Sequence, residues 1–459
     1  MYQIDFQHPV HIYFIGIGGI SMSGLAEILL EKGFRVSGSD LKESSLTRLL
    51  TDKGARIHYG QKAENITGDI DLTVYTSAIH PDNPEYAAAK TLGIPSLTRA
   101  ELLGQLMKNY ELPIAVSGTH GKTTTTSMIS EILLAADTDP TLSIGGILKT
   151  IGGNIRIGHS GYFVTEACEY TNSFLSFFPK VGIILNVEED HLDFFKDIED
   201  IRHSFRRFAA LIPDDGTLII NGDIPEVSSI TEGLSCQIIT YGSGKHCDYW
   251  PCEITYNESG CARFVLCHKN GKGEHFTLSV PGEHNIYNAL AAILLARLFS
   301  IDNGVIRDAL LHFHGTDRRF EYKGQVNGTV IIDDYAHHPT EITATLRAAA
   351  NYPHQKLWCV FQPHTYTRTK AFLKDFAKAL SLADHVILAD IYPARETDDL
   401  GISSKDLQTE IQKLGTICDY FPTFKEIENF ILKSCHPEDL LITMGAGDVV
   451  NIGENLLKR

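Results

Sequence analysis

The stretch Val116-Ser-Gly-Thr-His-Gly-Lys-Thr-Thr-Thr125 restricts the fold more than any other. The apolar run Pro113 to Val116 predicts a short buried strand, and Gly121 to Ala135 predicts a helix. A strand that turns through glycines into a helix N-terminus gathers unpaired backbone N–H groups and the positive end of the helix dipole, which makes an anion site. Lys122 adds a charge for outer phosphates, and Thr123 adds a hydroxyl for Mg²⁺. The longer pattern G-x-x-x-x-G-K-[ST] would place its first glycine where Val116 stands, so this is the shorter Gly118-x-x-Gly121-Lys122-Thr123 form. A glycine turn that serves packing alone is the bland alternative. Lysine and threonine at those two places favour an ATP site.

A chain of 459 residues corresponds to about three domains at ~150 residues each. Polar stretches at Lys108 to Leu112 and at His314 to Phe320 read as hinges, which divides the chain into 1–108, 109–313 and 314–459. A formal net charge of −17 argues against nucleic acid as a partner. Met1 to Val10 lacks the basic-then-apolar pattern of a secretory signal. The apolar run Ala289 to Phe299 is broken by Arg297 and too short to span a bilayer, so no membrane partner is expected. Nine irregularly spaced cysteines fit a reducing cytoplasm. Cys247, Cys252, Cys261 and Cys267, with His246 and His268, lack the C-x₂-C pairing of zinc sites and sit in alternating, strand-like sequence.

The first third opens with a buried strand, Val10 to Ile15, then Gly16-Ile-Gly18-Gly19-Ile-Ser21-Met22-Ser23-Gly24 and a helix to about Lys32. That is the context a dinucleotide fingerprint requires, although Ser21 replaces its third glycine. A second strand ends at Asp40, at the distance where a carboxylate can meet a ribose. A third, Leu72 to Tyr75, runs into Thr76-Ser77-Ala78. In the middle third, strands ending at Glu166 and at Asn186 place Glu166, Asp190 and His191 at the sheet edge where α/β folds bind ligands. Glu166 and His191 suit Mg²⁺ beside triphosphate oxygens, and a donor behind the metal's own ligands or a core histidine is the alternative for His191. Cys236 to Val280 reads as a β-rich insertion. Asn285 and Asn288 share one face of a helix start, where amides can meet a purine, or serve as caps. Arg318 and Arg319 are a solvated charge pair or a phosphate clamp. The last third repeats strand–loop–helix units whose loops carry Asp334, Tyr335, His337, His364 and Arg368, a doubly wound domain with a polar rim.

Taken in order and spacing, these motifs resemble the Mur ligase family along nearly the whole chain: the Gly16 to Gly24 turn, Gly118-Thr119-His120-Gly121-Lys122-Thr123-Thr124, Glu166, Asn186 with Asp190-His191, His284-Asn285 with Asn288, Asp333 to Glu341, Phe361 to His364 and Met444 to Asp448. The resemblance implies an α/β protein of three domains: an N-terminal Rossmann-like UDP-sugar domain, a central P-loop ATPase domain and a C-terminal Rossmann-like amino-acid domain. It implies that L-alanine is joined to the lactyl carboxylate of UDP-N-acetylmuramate through an acyl phosphate, with ATP and Mg²⁺, in peptidoglycan precursor synthesis. Gly16, Gly18, Gly19, Ser21, Met22, Ser23, Asp40, Ser77 and Ala78 would then hold the UDP-sugar. Gly118 to Thr124, His284, Asn285, Asn288, Arg319 and Asp334 would hold ATP. Thr123, Glu166 and His191 would hold the metal, and Lys122, Glu166, His191 and Arg319 would be catalytic. Tyr335, His337, His364 and Arg368 would face the amino acid.

Two departures stand out. Thr365 replaces an arginine common after Phe361-Gln-Pro-His364, which removes one carboxylate anchor and leaves more to Arg368. The acidic run after Glu166 becomes Ala-Cys-Glu-Tyr-Thr-Asn172. The resemblance also leaves a peptide-recycling ligase using the same UDP-sugar as an alternative, and a monomer or a homodimer. From other classes, a Rossmann oxidoreductase explains only the first glycine turn, and a P-loop ATPase would need no small-molecule acceptor.

Overall fold

The computed structural model describes every residue except Met1, Ser77, Ala78, Asn270, Arg395, Asp399 and Arg459, and Lys272 by its backbone only. The expected α/β architecture is found, built on three separate sheets. In the first, His11–Ile15 is central and buried throughout, as its apolar residues after His11 require, with the His11 ring bonded to Ser37 Oγ and the Asp69 carbonyl. Arg35–Asp40 and Arg56–Tyr59 lie to one side of it, Leu72–Tyr75 and Ser96–Thr98 to the other, all parallel. The chain therefore reverses its direction of travel across the sheet beside His11–Ile15, and the turn Gly16 to Gly19 sits at that switch point, where such sheets bind ligands.

The middle sheet has ten strands. Leu112–Ser117, which leads into the lysine loop, is flanked in parallel by Val181–Ile184 and Tyr162–Ala167. The β-rich insertion continues the same sheet as an antiparallel set, Tyr249–Tyr256, Cys261–His268 and Gly271–Pro281. Its first two strands bring Cys252 and Cys267 side by side as a disulfide with Cα atoms 6.2 Å apart, so these two depart from the expectation of reduced thiols. Helix His284–Leu298 is buried almost throughout, which its run of alanine, leucine and isoleucine anticipates, and it packs on helix Lys122–Ala135. The third sheet has six strands, with Thr329–Asp334, Leu440–Met444 and Leu357–Phe361 adjacent and parallel and Glu321–Val326 antiparallel at one edge.

One apolar core runs from the first sheet into one face of the second, joining Leu102, Leu103 and Leu106 to Phe174, Phe205 and Phe208. Phe174 and Phe208 stack with centroids 4.8 Å apart. Helix Arg99–Met107 makes this junction, and Gly104 lets it approach: a Cβ there would lie 1.9 Å from the carbonyl oxygen of Ser176. The neighbour is backbone and cannot swing away. Gly104→Ala should therefore destabilise the protein by about 1–3 kcal/mol, the usual range for overpacking. A lower midpoint for the first transition in urea would report it, and an unchanged midpoint would show that the helix shifts freely.

Candidate active site

The lysine loop is shaped by two glycines in the left-handed region, Gly118 at φ 143° and Gly121 at φ 83°. A Cβ on Gly118 would meet Leu185 at 2.9 Å, and one on Gly121 would meet Asn288 Oδ1 at 2.6 Å. Asn186 then clamps the loop, accepting from the His120 N–H at 2.7 Å and donating to the His120 carbonyl at 3.0 Å. Lys122 Nζ donates to the carbonyls of Gly118 and Thr119 and to Glu169 Oε2, the last at 2.9 Å. Burial disfavours its charge, but Glu169 more than compensates and raises its pKa.

Thr123 Oγ1 donates to Glu166 Oε2 at 3.1 Å, and Glu166 Oε1 accepts the Gly145 N–H at 2.6 Å. Burial pushes the Glu166 carboxyl up, against the pull of those bonds and of Arg319. His191, at φ 53°, stacks on Tyr170 with centroids 4.4 Å apart. Its Nε2 lies 3.8 Å from both Glu169 Oε1 and Asp190 Oδ2, and burial lowers its pKa. Among the described residues, three metal-binding side chains come within 4.8 Å of one another only at His120, Glu188 and His338, and at Asp223, His246 and Cys247. Thr123 and Glu166 thus touch each other, whereas His191 faces Glu169. Glu169 Oε1 is buried without a hydrogen-bond partner, an unmet demand for a cation that fits a metal beside this loop.

His120, Asn285, Asn288, Arg319 and Asp334 line a cavity of about 280 Å³ next to the loop. The two asparagines are turned inward: Asn288 Nδ2 donates to Asn285 Oδ1 at 3.0 Å, and Thr125 Oγ1 donates to Asn288 Oδ1 at 3.2 Å. His284 is held neutral, burial lowering its pKa to about 4. Burial raises Asp334 to about 6 although it accepts N–H bonds from Phe320 and Ala336. The paired arginines divide the work. Arg318 is spent on structure, bonding Asp333 and the carbonyls of Gly445 and Gly447, while Arg319 faces the cavity.

At the first sheet, the glycine turn is closed by its own chain. The N–H groups of Gly16 and Ile17 both donate to the Ser39 carbonyl at 2.9 Å, and Gly18 N–H donates to Asp40 Oδ2 at 2.8 Å. Asp40 therefore braces the turn here. Gly19, Ser21 and Met22 border a cleft of about 750 Å³ together with Arg99, which sequence reasoning did not single out and which donates to Ser21 Oγ at 3.1 Å. Ser23 turns away to the Ile20 carbonyl. Ser77 and Ala78 lie outside the described residues.

The third sheet brings His364 and Arg368 to the same cleft. Arg368 is already engaged: Nε and Nη2 donate to Asp190 Oδ1 at 3.2 and 2.9 Å, and Nη1 meets His364 Nδ1 at 3.2 Å. Burial opposes the charge on Asp190, but Arg368 and His191 hold its carboxyl well below the usual range. His337 bonds the Tyr335 carbonyl at 3.0 Å, and burial takes its pKa down to about 3. Tyr335 lies under Arg319, its ring centroid 5.2 Å from the guanidinium carbon. Glu169, Asp190 and Glu341 were missed as partners of site cations. For Glu169 and Asp190 the available signal was a place in the loops that follow strands Tyr162–Ala167 and Val181–Ile184, whereas Glu341 sits in the first turn of helix Pro339–Ala350.

The middle and third sheets are also tied by His120, whose Nδ1 is 3.2 Å from Glu341 Oε1 while Nε2 faces Glu188 Oε2 at 3.6 Å. Burial works against its charge, yet the two carboxylates raise its pKa from 6.5 to about 9. A pKa raised by these contacts means that the charge-dependent stabilisation is complete below about 6.5 and disappears as pH rises through about 9. X-ray scattering should show the protein expanding as pH crosses that upper value, and His120→Asn should flatten the response. A size independent of pH up to 10 would remove His120 from the latch.

Comparisons with known proteins bear on the family and the fold. The Mur ligase family catalytic domain matches residues 11–111, the Mur ligase middle domain 116–296 and the Mur ligase glutamate ligase domain 318–447. The chain is 61% identical to a UDP-N-acetylmuramate–L-alanine ligase of Agathobacter rectalis over 459 residues, all of both chains. Among solved structures it is similar to a UDP-N-acetylmuramate–alanine ligase of Thermotoga maritima, with 29% identity, TM-score 0.81 and 98% of each chain covered. It is also similar to a murein peptide ligase of Psychrobacter arcticus, with 26% identity, TM-score 0.69 and 98% of each chain covered. With all three of its sheets matched in order, the chain belongs to the Mur ligase family.

Proposed function

We propose that this chain is an ATP-dependent amide ligase that joins L-alanine to the lactyl carboxylate of UDP-N-acetylmuramate, a cytoplasmic step of peptidoglycan precursor synthesis. The observation that carries the reading is the convergence of three sheet ends on one cleft, where Ser21 and Met22, Cys168 and His191, and His364 and Arg368 border the same space. Relatives that share its full length bear the name of that activity. No described helix is long and apolar enough to cross a membrane.

The chemistry follows from the reactants. A carboxylate and an ammonium ion do not condense near neutral pH, so the carboxylate must first be activated. A lactyl oxygen attacks the γ-phosphorus of ATP, the bond to ADP breaks, and an acyl phosphate forms. The amine, having lost a proton, attacks the acyl carbon, and the tetrahedral intermediate expels phosphate. Lys122 and Arg319 stabilise charge on the transferred phosphoryl group, and the loop amides at Gly121 to Thr123 orient it. Mg²⁺, held among Thr123, Glu166 and His191, would neutralise phosphate oxygens. The uncapped start of helix Ile20–Glu31 and Arg99 suit the diphosphate of the sugar nucleotide. With Nε and Nη2 on Asp190, Arg368 offers the acceptor carboxylate the edge it shares with His364.

The test is phosphate release from Mg·ATP with UDP-N-acetylmuramate present and L-alanine, glycine, L-serine or a muropeptide tripeptide added singly. Release that needs both the sugar nucleotide and L-alanine is expected. Release with the tripeptide alone would move the protein to peptide recycling, and release indifferent to acceptor would leave only an ATPase. Lys122→Ala should cut turnover by roughly a hundredfold or more while UDP-sugar affinity is kept. Near-normal turnover would take Lys122 out of the mechanism.

A further inference from the structure

An acceptor amino acid arrives as a zwitterion, so a site that binds its carboxylate still has an ammonium to satisfy. Among the described residues, three carboxylates border the cleft that holds Ser21, His191 and Arg368: Asp190, Asp193 and Glu396. Asp190 is already neutralised by Arg368 at 2.9 Å. Asp193 lies in the middle domain, is exposed, and accepts from Tyr170 Oη at 2.7 Å. Glu396 differs from both. It is half-buried and held by a single residue, accepting the Thr367 N–H on Oε2 at 3.0 Å and the Thr367 hydroxyl on Oε1. Both donors are neutral and each oxygen keeps a further lone pair. Among the described residues Glu396 has no ion-pair partner.

Thr367 precedes Arg368 in helix Tyr366–Ala371, and the Thr365 N–H donates to the Tyr392 carbonyl at 2.9 Å. The segment that carries Glu396 is thus tied to the one that carries His364 and Arg368. The His364 ring stacks on Tyr392 with centroids 5.6 Å apart. Burial and Arg368 lower its pKa to about 4 against the pull of Glu396, so His364 supplies no charge that would neutralise this carboxylate. Amine and carboxylate of an α-amino acid are carried on the same carbon. A carboxylate bound at the edge shared by Arg368 and His364 therefore brings its ammonium to the uncompensated acid on the same pair of loops. We propose, resting on the ligase reading, that Glu396 receives the ammonium of the acceptor amino acid opposite Arg368, before the amine loses its proton. The cleft then recognises a zwitterion by one fixed cation and one fixed anion.

Initial rates of phosphate release can be measured on the full chain with saturating Mg·ATP and UDP-N-acetylmuramate and varied L-alanine. Propionate, which lacks the ammonium, serves as a competitor. Glu396→Gln should raise KM for L-alanine by about tenfold or more, the scale of one charge-assisted hydrogen bond, while kcat stays within about twofold. Inhibition by propionate should hold or strengthen, because a negative charge has left its surroundings. Asp193→Asn should leave KM for L-alanine near the wild-type value. A wild-type KM in Glu396→Gln would overturn the proposal. A loss of propionate inhibition in step with the loss of L-alanine would overturn it too, by making Glu396 a support for helix Tyr366–Ala371 alone. So would a rise in KM confined to Asp193→Asn. If the glutamine variant does not fold, Glu396→Asp, which keeps the charge but retracts it by a methylene, should still raise KM for L-alanine, and a wild-type value there is the overturning result. Phosphate release by wild type that ignores L-alanine would sink the ligase reading instead.

Discussion

Three cations at the centre of this molecule are each matched to a carboxylate, two in loops that follow strands of the middle sheet and one in the first turn of helix Pro339–Ala350. Lys122 lies against Glu169, Arg368 against Asp190 and His120 against Glu341. The last two pairs join the middle sheet to the third. Such pairs add little net stability, because desolvation offsets the attraction, but removing one partner leaves a buried charge exposed to the full penalty. Their consequence is therefore register more than strength. The middle and third sheets dock where these charges meet, and that places His364 and Arg368 over His191.

The same pairs suit chemistry among anions in a chain of net charge −17. Long-range attraction for phosphate or carboxylate substrates is absent, so selectivity falls to donors within contact distance. Each of these donors is kept in place by an internal anion. Lys122 waits on Glu169 and Arg368 on Asp190, and Asn186 keeps the loop between them in shape. A site built this way is preorganised without leaving bare cations in an apolar surround.

Much of the frame was readable along the chain. Apolar runs ending at glycine turns located His11–Ile15 and Leu112–Ser117, and one ending at Gln362-Pro363 located Leu357–Phe361, because a strand buried on both faces needs a largely apolar run and a sharp exit. The lysine loop was legible because its two glycines and the helix start that follows lie within a few positions of one another, although Asn186, which clamps it, does not. The β-rich insertion was visible as alternation, although nothing local revealed that it extends the central sheet.

The sequence by itself determined the order of strand, turn and helix, the phosphate loop and the family, since these are encoded in local spacing. Only the tertiary structure decided which of two like residues does which task. Arg318 braces the third sheet while Arg319 faces the cavity, Glu166 serves Thr123 while Glu169 faces His191, and Asp40 closes its own glycine turn. Side-chain partners separated by 47 residues for Lys122 and Glu169, or by 178 for Arg368 and Asp190, are set by how sheets pack. Local periodicity carries no information at that range.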